Sequence, residues 1–399
     1  MTINAQSLRF GVRKVGDSFA LASLLLLTSC GSESGPDAST GIAYHHDRIA
    51  KGPWSIHVVK VDRGRGDLEL RTMLGKGTRL GLSTLVQQIH ALPPDAGRPL
   101  AALNGDFYVV DERNPYAGDP RGLQIVDGEL VSAPSDQASF WLDAAGVPQA
   151  TNVLSRFKVT WPDGASTPIG LNEERGAGAA VLYTARQGES TRAQGGRELT
   201  LERVGDGPWL PLQAGIQYTA RIREARSGGN SRLNPDVVVL SLSPELVTRT
   251  PAAVRADAGA IVKISTETVP ELKGVKSAIS GGYVLVRDGR TETLRVPPST
   301  DYKYASVTNR HPRSAIGASR DHFFLLEVDG RQPGHSVGMT LAELGGYMQK
   351  LGCELAVSLD GGASATFWWN GRIMNRPCNG ADRPIANGLV VLKKTQARP

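Results

Sequence analysis

Apolar residues in this chain come in runs that are short and closed off by turns. Trp54 to Asp62 and Leu68 to Leu74 alternate or run apolar, and Arg63-Gly64-Arg65-Gly66 separates them. Leu100 to Leu103, Phe323 to Val328 and Leu355 to Leu359 repeat the pattern, with Arg313 to Ala318 placed to pair with the second. Runs of this length bounded by turn residues are strands, and 46 Gly and 24 Pro supply the turns. Two segments break the rule. Ser83 to Leu92 has Thr84 and Gln87 at capping-box spacing, and Pro93-Pro94 stops it. Thr340 to Leu351 repeats the box with Thr340 and Glu343, and its stripe is Leu341, Leu344, Met348 and Leu351. Gly352 follows where a helix C′ glycine belongs. The prediction is an α+β fold of mixed, mostly antiparallel β-sheets with a few helices. Residues 144–275, all short strands and Gly-rich loops, read as a β-rich middle insertion.

The first thirty residues constrain the compartment. Arg9, Arg13 and Lys14 precede a short apolar run from Phe19 to Leu27, and Leu27-Thr28-Ser29-Cys30-Gly31 follows. The run is too short to span a bilayer, which takes about 20 apolar residues, and suits a signal peptide. Its end resembles the lipobox of bacterial lipoproteins, which implies lipidation at Cys30. The expected organisation is a leader over 1–30, a tether over 31–52 and one domain over 53–395. The expected location is the cell envelope, held by a lipid anchor, at the outer membrane in a Gram-negative host.

Formal net charge is +6 with a sequence pI near 9.2, yet no Lys/Arg run of nucleic-acid type occurs. With Cys30 spent on lipid, Cys353 and Cys378 remain, and neither lies in a CxxC pair. Outside the cytoplasm two leftover cysteines predict a disulfide, whose loop closure is worth roughly 3 kcal/mol.

Asp-Gly pairs at Asp127 and Asp288 read as plain turns. Asp329-Gly330-Arg331 sets a carboxylate beside a guanidinium, and an apolar strand delivers Asp360 into Gly361-Gly362-Ala363-Ser364. Asn104-Gly105-Asp106-Phe107-Tyr108 places aromatics straight after a turn, and His311-Pro312-Arg313 sets an Arg at a strand start. Taken in order, NGDFY, GLQIVDGELV, ISGGYVLVRDG, HPRSAIG, VDGRQ, GMTLAEL, SLDGGAS and the segment from Asn375 to Asn387 resemble the phosphodiester glycosidase family. The resemblance runs from about Trp54 to Lys393, densest at its two ends. Asp106, Tyr108, Ser314 and Ala363 depart from the usual pattern.

The resemblance implies cleavage of the bond between a sugar's anomeric carbon and a phosphodiester. Such a step needs carboxylates for the oxocarbenium-like sugar and guanidiniums for the departing phosphate. Asp360 and Asp329 are expected as catalytic carboxylates and Arg313 as the phosphate holder. Asn104, Asp106, Arg331, Ser364, Asn375 and Arg383 are expected to bind substrate. Three acidic groups could instead hold a divalent cation such as Ca²⁺. Implied partners are a sugar phosphate or polysaccharide and the membrane, with no nucleic acid. A non-catalytic carbohydrate-binding or assembly lipoprotein, or a metal-dependent phosphodiesterase, are the competing readings.

Overall fold

The strand His322–Val328 decides the layering, because both of its faces are apolar. Phe323 and Leu325 join one core, while Phe324, Leu326 and Val328 join another. In the computed structural model, which describes residues 40–205, 209–298, 300–301 and 303–394, this strand lies inside a seven-stranded sheet. The order is Ile42–Ile49, Trp54–Asp62, His322–Val328, Arg313–Ala318, Leu355–Ser358, Val284–Arg287 and Arg290–Thr291. A five-stranded sheet covers one face, in the order Arg372–Ile373, Phe367–Trp369, Arg98–Asn104, Asn387–Lys393 and Leu68–Leu74. Val59, Leu325 and Val357 of the first sheet meet Leu103, Phe367 and Val391 of the second in one core.

A helix covers each outer face. Leu341–Lys350 lays Leu341, Leu344, Tyr347 and Met348 on Ile56, Leu326 and Ala356. Each such buried side chain stabilises by roughly 1.5–3 kcal/mol. Thr340 and Glu343 close the capping box, and Gly352 turns the chain out at φ +87°. On the opposite side Leu85–His90 packs Leu85 and Ile89 against Ala102 and Val390, with Thr84 and Gln87 as its box. The strands on either side of Leu341–Lys350 both pair antiparallel with Arg313–Ala318. They therefore run parallel to each other across it, so the expected crossover skips one strand.

The β-rich middle is an eight-stranded sheet built between Lys158–Thr160 and Ile261–Ser265. It shares a core with a six-stranded sheet that includes Gln137–Leu142, Pro148–Ser155 and Ala278–Ser280. Trp141 and Val153 from the smaller sheet pack with Leu199, Leu240 and Ile264 from the larger. Fold class thus stands as α+β with mostly antiparallel sheets.

Two expectations change. Residues 42–49, assigned to the tether, form an edge strand paired along its length with Trp54–Asp62. His45, His46, Asp47 and Arg48 leave that strand exposed, so no apolar alternation marked it. The leader, Cys30 and residues 31–39 lie outside the described residues. The second change concerns the disulfide: Cys353 and Cys378 are both free thiols. Cys353 is buried beneath Leu341–Lys350 among Met348 and Ala356, where a thiol behaves as a small apolar group. Cys378 sits in the turn from Pro377 to Gly380, beside Asn379.

Burial pushes the Cys353 thiol up to about 12. In the native protein a thiol reagent is therefore expected to label Cys378 at once and Cys353 only on unfolding. Equal loss of both signals without reductant, by mass spectrometry of the unfolded chain, would instead reveal a bridge. Among the described residues, no helix is long and apolar enough to cross a membrane.

Candidate active site

Asp360 follows the end of the Leu355–Ser358 strand by two residues, half-buried, and its backbone is fixed from two sides. Its N–H donates to the Gly105 carbonyl at 2.9 Å, and its carbonyl accepts from Asn104 Nδ2 at 2.7 Å. The turn that follows needs its glycines. A Cβ at Gly361 would lie 2.5 Å from the Pro312 carbonyl oxygen, and one at Gly362 would meet the Arg331 guanidinium at 3.0 Å. Gly362 also holds φ +61°, a conformation L side chains rarely adopt.

Desolvation raises the Asp360 carboxyl to about 6, against the bonds from Ser364 and the Gly361 N–H and the charges of Arg383 and Arg331. The charge on Asp360 acts in turn on Asp106. Asp106 is buried, and its Oδ1 and Oδ2 accept the N–H groups of Phe107 at 2.7 Å and Gly122 at 2.9 Å. Burial outweighs those bonds, and with the charge on Asp360 it pushes Asp106 well above the carboxylate range. Two carboxylates whose surroundings separate their protonation states make an acid and base pair.

Two cations act on Asp360, while Arg121 acts on Asp106. Arg331 holds φ +58°, a strained backbone for a non-glycine residue, and its Nε donates to His311 Nδ1 at 3.3 Å. Arg383 lies over the Tyr108 ring, 5.8 Å from its centroid. Tyr108 in turn donates to the Pro384 carbonyl at 3.0 Å and lies 3.4 Å from the buried Ser364 hydroxyl. Tyr108, one of the aromatics straight after the Asn104-Gly105 turn, is thus part of the site. Phe107, 39% exposed, stands at the rim against Gly282.

Asp360, Asp106, Ser364, Arg331 and Arg383 thus share one place. Asn104 joins them as a positioning residue: its amide is spent on Asp360, on Ser314 Oγ at 2.6 Å and on the Thr366 N–H at 3.1 Å.

Three predicted residues have other work. Arg313 is buried, and its Nε donates to the Met339 carbonyl while Nη2 bonds the carbonyls of Ser306 and Asn309. These are carbonyls at the end of the short helix Lys303–Thr308 and beyond, so this guanidinium braces backbone. Asn375 spends its amide on the Phe367 N–H and the Ala365 carbonyl. Asp329 is 1% exposed and bonds His335 Nε2 at 2.7 Å and the Arg376 N–H at 2.7 Å, with His57 Nε2 at 3.6 Å. Burial alone would raise Asp329; the bonds from His57, His335 and Arg376 hold it below the usual range.

Arg313→Met is accordingly expected to lower stability by about 2–4 kcal/mol in urea unfolding, since it strips three charge-assisted bonds from backbone carbonyls. Arg331→Ala is expected to leave the unfolding midpoint nearly unchanged. The reverse pattern would return Arg313 to the substrate.

Residues 217–392 match the phosphodiester glycosidase family model. That match covers less than half of the chain. The match holds Asp360, Ser364, Arg331 and Arg383, whereas Asn104 and Asp106 come from outside it, delivered by the strand Arg98–Asn104. An uncharacterised protein derived from the SPbeta prophage of Bacillus subtilis (strain 168) is 29% identical over 120 residues, 30% of this chain and 18% of that protein. A hypothetical protein from Synechocystis superposes with TM-score 0.70 at 18% identity, covering 91% of this chain and 64% of its own. A Burkholderia pseudomallei K96243 protein described as exported gives TM-score 0.62 at 21% identity, with 86% and 74% covered. The chain thus spans less than two thirds of the first two proteins, and the two structures share the fold with it.

Proposed function

We propose that this protein is an exported, lipid-anchored hydrolase that cleaves the C1–O bond of sugar-1-phosphodiesters in envelope or extracellular polysaccharide. The observation that carries the reading is the Asp360–Asp106 pair, with Arg331 and Arg383 acting on Asp360. Water adds to C1 as the C1–O bond breaks, and the bonding pair leaves with the phosphate oxygen. Asp360, ionised above about pH 6, takes the proton of that water; in the two-step alternative it displaces the phosphate from C1 first, and water then opens the resulting glycosyl ester at C1. Arg331 and Arg383 stabilise the departing phosphate, a weak base that needs little help from an acid. Asp106, held protonated, donates a hydrogen bond to a sugar hydroxyl, and Phe107 offers its face to the ring. The lipobox at Cys30 supports placement at the envelope.

The test is incubation with UDP-N-acetylglucosamine and with p-nitrophenyl glycosides in ¹⁸O water. Free sugar from the phosphodiester alone, carrying the label, is expected. Label in the phosphate would mean P–O cleavage, and no release from a panel of sugar phosphodiesters would leave a binding role.

The pH profile follows from the same pair. Activity is expected to rise as pH passes through about 6, where Asp360 ionises. Asp106, already neutral in this range, adds no charge to Asp360, so Asp106→Asn should leave that limb in place. The stability sign is opposite. The folded chain keeps the Asp360 proton to about 6 while the unfolded chain loses it near 4, so this group's contribution falls as pH rises between them. A limb that moves to lower pH in Asp106→Asn would show instead that Asp106 is charged there.

A further inference from the structure

Behind Arg331 lies a second cluster that the hydrolytic reading leaves unused. His57, from the strand Trp54–Asp62, and Glu327 and Asp329, at the end of His322–Val328, bring one ligand atom each to within 4.8 Å of the others. All three are buried, Glu327 completely. Both Glu327 carboxylate oxygens lack any hydrogen-bond partner, although a buried carboxylate left bare costs several kcal/mol. Asn375, the neighbouring amide, spends Oδ1 on the Phe367 N–H and an Nδ2 hydrogen on the Ala365 carbonyl, and what it offers Glu327 does not offset that burial. A carboxylate with two bare oxygens, aimed at an imidazole and a second carboxylate, is a cluster short of one positive charge.

We propose that His57, Glu327 and Asp329 bind a structural Zn²⁺ ion. The spacing fits. Donors at about 2.0–2.2 Å around a tetrahedral ion stand roughly 3.3–3.6 Å apart, and His57 Nε2 lies 3.6 Å from Asp329 Oδ2. The surroundings fit as well, since ligating imidazoles and carboxylates are oriented by outer hydrogen bonds. Tyr44 Oη lies 2.7 Å from His57 Nδ1, which leaves Nε2 for the metal. The Arg376 N–H takes Asp329 Oδ1, and His335 holds Oδ2 from the more open side. The nitrogen donor and the small number of carboxylates favour zinc over Ca²⁺, which prefers six to eight oxygens. Such an ion ties two strands to the loop from Gly330 to Gly338, and that loop carries Arg331. It touches no substrate.

The test uses the purified full chain, equilibrated in turn with Zn²⁺, Mn²⁺ or Ca²⁺, freed of loose metal and assayed by elemental mass spectrometry. About one zinc per chain is expected, with little manganese or calcium, and chelation should lower Tm by several degrees. Cobalt loading should give the intense visible bands of a tetrahedral site. Glu327→Gln keeps the side chain's shape and is expected to lose zinc and the chelator-sensitive part of Tm. His335→Ala, at a less buried position, should weaken retention and serves if the first variant does not fold. A wild-type chain that holds no zinc and whose Tm ignores both zinc and chelator would overturn the site. Full zinc retention in Glu327→Gln or, where that variant does not fold, in His335→Ala would overturn it equally, because the ion would then lie elsewhere.

Discussion

Asp360→Asn is expected to lower kcat for phosphodiester hydrolysis by about 10²–10⁴-fold, the usual size of a lost acid–base group. The fold should survive. Asparagine keeps an oxygen for the Gly361 N–H, and the backbone bonds to Gly105 and Asn104 do not involve the side chain. Because burial disfavours the charged form here, removing the charge should hold or slightly raise Tm near neutral pH. Steady-state rates and a melting curve on the same preparation decide it. Full turnover in a folded Asp360→Asn protein would remove Asp360 from the chemistry and, with it, the proposed reaction.

Asn104→Ala is expected to act through stability and position together. The substitution leaves the Asp360 carbonyl, the Ser314 hydroxyl and the Thr366 N–H without their partner, all in the interior. Orphaned buried groups cost about 1–3 kcal/mol each, so a loss of about 3 kcal/mol or more in urea unfolding is expected. The molecules that stay folded should turn over more slowly, because Asp360 loses one of its two backbone anchors. A stable variant with ordinary kcat would show that the Gly105 contact alone sets the carboxylate.

Much of the fold was legible because burial wrote it into the sequence. The strands Trp54–Asp62, Leu68–Leu74 and Arg313–Ala318 fall at their expected bounds. The edge strand Ile42–Ile49 did not show, since an exposed edge imposes no alternation. The site was legible where a strand runs into glycines, as at Asp360, and misread where the deciding partner arrives from a distant segment. Arg313 looks like a phosphate ligand until the carbonyls of Ser306, Asn309 and Met339 are seen to surround it. His57, Glu327 and His335 escaped notice for a related reason. Each is an isolated polar residue in its own segment, and only the pairing of Trp54–Asp62 with His322–Val328 makes them neighbours. A histidine inside an otherwise apolar strand was the signal available.

The pairing scheme also sets when this protein can fold. Leu68–Leu74 finds its partner in Asn387–Lys393, and Trp54–Asp62 finds its partner in His322–Val328. Neither central sheet can be completed from the first three hundred or so residues, whatever their local preferences. Chains dominated by such distant contacts fold slowly, because loop closure precedes the reward. Leu68–Leu74 must therefore wait, unpaired on that side, until nearly the whole polypeptide has been made. A polypeptide that cannot finish early remains threadable for longer, and the same delay lengthens the time in which its apolar strands need protection from one another.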